Sequence, residues 1–202
     1  SGVDDFFSVT SLAPGIAVFG FAMLTMTSAM ALALDRESSL FARLLTTPLR
    51  ANDFVLAYSL PYIAVAALQA LLVFVVALFF GLSMAGNVLW VILILLLFAV
   101  WYVAMGMILG SVLPYKAVTA GWVVVLLLTI FGGTWVNLAE IGGVFLTIGD
   151  VFPFAHGLDA ARAVMLAGAG FGDVLGDRWW VLGHTSVLVW IAVGVFRWRM
   201  FE

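Results

Sequence analysis

The chain has 202 residues, 65% hydrophobic and 9% charged, with a net charge of −3 and no cysteine. A soluble domain carries about 45–50% apolar and about 25% charged residues, so this composition excludes an ordinary water-soluble fold and makes lipid the main solvent. The slight acidity argues against a nucleic-acid partner, and without cysteine there is no disulfide, thiolate metal site or cysteine nucleophile.

The chain opens on Ser1 and carries Asp4 and Asp5, with no Lys or Arg in its first eleven residues. It lacks the basic start and short apolar run of a signal peptide and reads as the interior of a longer chain. A membrane helix needs about 20 mainly apolar residues. Five stretches qualify: 12–34, 54–80, 88–113, 117–136 and 180–196. The links at 81–87 and 114–116 are short, so the spans they join are expected to be antiparallel neighbours.

Between the first two spans lies LDRESSLFARLLTTPLRANDF, which holds Asp35, Arg36, Glu37, Arg43, Arg50 and Asp53. Leu40, Phe41, Leu44, Leu45 and Leu49 fall on one helical face, and Arg36, Arg43 and Arg50 share another stripe. Ser38 and Ser39 suit a helix start. Pro48 limits the helix, because the residue before a proline avoids helical geometry. The reading is a short amphipathic helix lying flat at the membrane surface, either a plain anchor for the loop or a docking element for a partner.

In the second span, Gln69 is the one amide at mid-depth. It is expected either to bond across helices or to touch a cargo, and it is the candidate for the translocation path. In the third, Gly106-x-x-x-Gly110 permits close helix approach. Trp90, Phe98, Trp101 and Trp122 could face lipid or a greasy cavity. Residues 137–179 are broken by Gly142-Gly143 and Gly149-Asp150. They then read as a short helix from Ala155 to Ala167, carrying Asp159 and Arg162 and too short to span. Irregular backbone at membrane depth survives only where protein or water covers it, so short re-entrant helices capping one mouth are expected. Trp179 and Trp180 read as an aromatic belt, and His156 and His184 as packing residues.

With the charged cassette inside, Arg36, Arg43, Arg50, Lys116, Arg197 and Arg199 all fall on the inner side, and only Arg162 and Arg178 on the outer. This places the C-terminus in the cytoplasm and the N-terminus outside, and the expected parent is a six-span chain of which residues 1–202 are a single permease domain with five spans. There is no Gly-x-x-x-x-Gly-Lys-Ser/Thr, so no phosphate loop, and no Gly-x-Ser-x-Gly or His-Glu-x-x-His. No span carries the paired carboxylates a proton-coupled pump would want. No catalytic residue, cofactor or metal is implied. An ion-coupled carrier and an intramembrane enzyme are the competing readings.

The stretch DRESSLFARLLTTPLRANDFVLAYSL resembles the intracellular segment of type-2 ABC exporter permeases: an Arg-Glu pair, then Leu-Leu-x-x-Pro-Leu, then the next span. Arg36-Glu37 and Leu44-Leu45-Thr46-Thr47-Pro48-Leu49 match in type and order. Ser38-Ser39 stands where that family often has Gly-Thr, and the family's first span is missing. FPFAHGLDAARAVML resembles its outer segment. The resemblance implies an all-α integral membrane fold with five spans, a cytoplasmic coupling helix and re-entrant outer helices. It further implies that Arg36, Glu37, Arg43, Leu44, Leu45, Thr46, Thr47, Pro48, Leu49 and Arg50 couple to an ABC-type ATP-binding subunit, which does the ATP hydrolysis. A second permease copy in a homo- or heterodimer, the lipid of the plasma membrane, and an outer gate around Pro153 and Arg162 complete the expectation.

Overall fold

The computed structural model describes residues 8–83, 85–134, 143, 153–168 and 175–201. Its elements run α1 (Val9–Arg36), α2 (Ser39–Leu44), α3 (Ala51–Phe79), α4 (Val88–Val112) and α5 (Tyr115–Thr129). A π-helical turn (Ile130–Thr134), α6 (Pro153–Ala167) and α7 (Leu175–Phe201) follow. Every one is helical, and α1, α3, α4, α5 with its π turn, and α7 are the five long and apolar enough to cross a membrane. The chain is an all-α membrane protein. Residues 1–7, 84, 135–142, 144–152, 169–174 and 202 are outside the described set, and with them the expected glycine breaks at 142 and 149, Asp4, Asp5, Glu140, Asp150 and Asp173.

The helix ends follow from local chemistry. Asn87 accepts a hydrogen bond from Leu89 N and caps α4, as side-chain oxygens do for the orphan donors of a first turn. Gly133 stands at φ 89° at the end of α5, a left-handed position that a side chain would strain. The described part of this span ends at Thr134, and the expected end at 136 lies outside the described residues.

α1 lies at the centre of the bundle and packs against α3, α4, α5 and α6. Its approach to α4 is set by small residues. A Cβ on Gly106 would sit 2.8 Å from the Thr25 carbonyl oxygen, and one on Gly110 would sit 2.7 Å from that of Ala29. In lipid, close backbone packing and interhelical hydrogen bonds replace the hydrophobic effect as the driving force between helices. The bonds are present: Thr25 Oγ1 donates to the Tyr102 carbonyl at 2.8 Å, Trp122 Nε1 to the Ala22 carbonyl at 2.6 Å, and Tyr102 Oη pairs with Thr129 Oγ1 at 2.8 Å. Phe98 and Trp101 are buried in this core and Trp90 and Trp122 are half-buried against it. These four aromatics therefore serve helix packing. By contrast α3 presents Leu56, Leu60, Leu68, Leu71 and Leu72 outward, an apolar face suited to lipid.

Candidate functional site

The cassette between α1 and α3 forms a compact unit at one end of the bundle. Ser38 is its joint: Ser38 Oγ accepts from Phe41 N at 3.2 Å and donates to the Asp35 carbonyl at 2.6 Å. α2 then runs for six residues. Phe41 is buried among Leu32, Phe54, Met107 and Phe196, with its ring 5.7 Å from that of Phe54. Leu44 and Leu45 are half-buried against the same cluster, whereas Leu49 is exposed; the Leu40 side chain is outside the described set. The apolar face is thus narrower than the spacing predicted.

α2 ends earlier than expected because its carbonyls are closed locally. Thr46 Oγ1 donates to the Arg43 carbonyl at 2.7 Å and Thr47 Oγ1 to that of Leu44 at 2.5 Å. Pro48 follows. The backbone then restarts at α3, where Asp53 Oδ2 accepts from Arg50 N at 2.7 Å. Residues 46–50 form a continuous exposed bend, and Arg43 is exposed on α2 beside it. Arg36, Arg43 and Arg50 do not share one stripe. They belong to the end of α1, to α2, and to the cap of α3.

Arg36 turns back into the bundle. Its Nη1 donates to the Gly110 carbonyl at 2.6 Å and also to that of Ser111. Glu37 Oε1 accepts from Tyr115 N at 3.1 Å. Asp35 Oδ2 accepts from Tyr58 Oη at 2.7 Å. The partners of Asp35 and Glu37, and the carbonyls taken by Arg36, were not found by sequence reasoning. One signal could have located two of them. Pro114 has no N–H, so the carbonyl of Gly110, four residues earlier, needs another donor, and the start of α5 needs another acceptor.

At the opposite end, Arg162 on α6 donates from Nε to the Ser11 carbonyl at 3.2 Å and from Nη2 to the Gly133 carbonyl at 3.1 Å. Its side chain is 11% exposed and lies 3.7 Å from the Asp159 carboxylate, which is 71% exposed. Burial lowers the Arg162 pKa and Asp159 opposes the change. Pro153 begins α6, a position where its missing N–H costs nothing; its side chain is outside the described set. Gln69 sits on the wall of a groove of about 430 Å³ between α1 and α3, among Leu12, Ile16, Leu72 and Val73. It makes no hydrogen bond to any described residue. His156 and His184 flank Trp180 at ring distances of 5.8 and 4.7 Å, and no group of three metal-ligating side chains occurs among the described residues.

Residues 2–166 match the family model for the ABC-2 type transporter. No curated protein and no solved structure matches the chain.

Proposed function

We propose that this chain, which belongs to the ABC-2 type transporter family and is a membrane-spanning subunit of an ABC transporter, is the permease of an ATP-driven exporter. A separate ATP-binding subunit docks on Arg43, Leu44, Leu45, Thr46, Thr47, Pro48, Leu49 and Arg50 and supplies the hydrolysis. The observation that carries this reading is the exposed bend at 46–50 on a helix whose Phe41 is locked into the bundle. A loop anchor needs the buried phenylalanine. It does not need an ordered, polar and cationic bend standing beside it.

The cassette faces the cytoplasm in this reading. Arg36, Arg43, Arg50, Lys116, Arg197 and Arg199 gather at its end of the bundle, as the positive-inside rule requires of a plasma-membrane protein. The C-terminus is then cytoplasmic and α6, with Pro153 and Arg162, lies at the outer mouth as a gate. A second copy, identical or related, completes a path for a hydrophobic or amphipathic cargo, with Gln69 as a polar contact in an otherwise apolar groove.

Copurification tests the proposal. The chain is co-expressed in membranes with a tagged ABC-type ATP-binding subunit and isolated through the tag. Retention of the chain, weakened by Arg43→Glu, supports docking on the cassette. Equal retention after charge reversal at both Arg43 and Arg50 moves the dock elsewhere.

A further inference from the structure

We infer that Asp35, Arg36 and Glu37 form a transmission hub that carries displacement of α2 to the ends of α3, α4 and α5. The inference rests on the docking role proposed for α2, and it gives these three residues a positioning role rather than a place on the docked surface.

The geometry begins with Pro114. In a continuous helix the N–H of residue 114 would bond the Gly110 carbonyl, and the N–H of Tyr115 would bond that of Ser111. Proline removes the first bond. Its extended backbone, with ψ at 154°, removes the second. Pro114 also offers no side-chain cap to α5. Among the groups that would then stay unpaired or turn to water are the Gly110 and Ser111 carbonyls closing α4 and the first donors of α5, the N–H groups of Tyr115 and Lys116. Arg36 and Glu37 meet three of them. The Arg36 guanidinium takes both carbonyls, and the Glu37 carboxylate takes the Tyr115 N–H. Each charge has the sign its helix end favours, cation at a C-terminus and anion at an N-terminus. The adjacent Asp35 carboxylate holds Tyr58 in the second turn of α3.

Three successive side chains on a helix point about 100° apart. At the end of α1, which is surrounded by other helices, they therefore reach three different neighbours. The same three residues lead directly into α2. Only Glu37 and Ser38 separate the two helices, and Ser38 is bonded on both sides. That joint leaves α2 little freedom to move without moving the hub.

The test uses the complete transporter, with a label on Lys116→Cys. Lys116 is exposed at the start of α5, and the chain has no other cysteine. Label mobility is recorded before and after ATP with vanadate. The parent should show a change. Arg36→Ala with Glu37→Ala should retain the ATP-binding subunit at the parental level and lose most of the change, by roughly fivefold or more, as expected when charge-assisted bonds are removed. A purely stabilising role would lower yield and leave the label's response intact, which would overturn the inference. Should the double variant fail to assemble, Glu37→Ala alone is read in the same way, since it removes the acceptor of the Tyr115 N–H. A full response there overturns the hub as well. Amide exchange at Tyr115 gives an answer without any partner. Exchange about tenfold faster in Glu37→Ala supports the bond, and unchanged exchange removes it. A parent chain that binds no ATP-binding subunit sinks the docking reading, while the Tyr115 result still decides the clasp.

Discussion

At the α2 end of the bundle, Arg36 donates to the carbonyls of Gly110 and Ser111, where α4 stops before Pro114. At the α6 end, Arg162 donates to the carbonyl of Gly133, where α5 stops at a glycine pair. Both arginines satisfy backbone freed by a helix break, and both do so from another element. Their surroundings differ. Arg36 is half-buried between two acids that are themselves engaged with α3 and α5. Arg162 is nearly enclosed, and its carboxylate neighbour Asp159 points toward solvent. The first arrangement joins helix ends that continue into an exposed, jointed loop. The second pins a short helix against α1 and the π turn, with the guanidinium largely buried. Equal residue types therefore predict unequal costs.

Arg162→Ala should have the largest effect. It leaves the Ser11 and Gly133 carbonyls without their donor in a largely buried site. Leaving a buried acceptor without its donor costs about 1–3 kcal/mol for each group, and two carbonyls lose theirs here. Thermal unfolding in detergent should show a marked loss of stability, and Arg162→Lys, with one charge but no fork, should recover only part. A loss under about 1 kcal/mol would mean that water reaches this site and that the two ends are alike.

A second test compares two glycines. A Cβ on Gly110 would stand 2.7 Å from the Ala29 carbonyl oxygen, and one on Gly15 would stand 2.7 Å from that of Thr134. The clashes are equal on paper, but the partners are not. Ala29 lies in the middle of α1, held by regular helix bonds on both sides. Thr134 ends the π turn. Overpacking costs about 1–3 kcal/mol, and Gly110→Ala should lie at the top of that range and Gly15→Ala at the bottom. Reversal of the order in a denaturation series would place the stiffer packing at the α6 end. Tyr58→Phe is expected next in size. It removes one hub bond at an exposed carboxylate and should cost about 0.5–1.5 kcal/mol.

The five spans were legible in the sequence because length and apolar content suffice to identify them. So was the Gly106–Gly110 contact, since only glycines let helices approach that closely. The existence of α2 and its Ser38 cap were legible too, being local. The extent of α2 was not. Periodicity counted Leu45 and Leu49 into one face, whereas Thr46 and Thr47 close the helix with their own hydroxyls. The partners of Arg36 and Glu37 lie 74 and 78 residues away, and Arg162 reaches back 151 residues to Ser11. No local pattern encodes such distances. The arginine stripe failed for the same reason: a spacing of seven means a shared face only if one helix runs through all three residues. The family resemblance drawn from the cassette agrees with the match over residues 2–166, because it rests on residue order, which survives such errors of extent.

The smallest expected change in stability belongs to Arg43→Glu, and it is the most informative for the α2 end. The Arg43 side chain is exposed and takes no part in the bonds that fasten the cassette; only its carbonyl, which the substitution leaves in place, accepts from Thr46. Reversing its charge on a solvated face should alter folding stability by no more than about 0.5 kcal/mol. At a docked interface the same reversal sets like charges against each other, at a cost of several kcal/mol. The two readings thus separate by about two orders of magnitude or more in binding and not at all in folding. Insertion and thermal stability should match the parent, while association with the ATP-binding subunit weakens and ATP turnover loses its coupling. Were the variant to associate and couple like the parent, Arg43 would lie off the docking surface. The same result at Thr47 would reduce α2 to an anchor held by Phe41, and the functional contrast between the two ends would disappear.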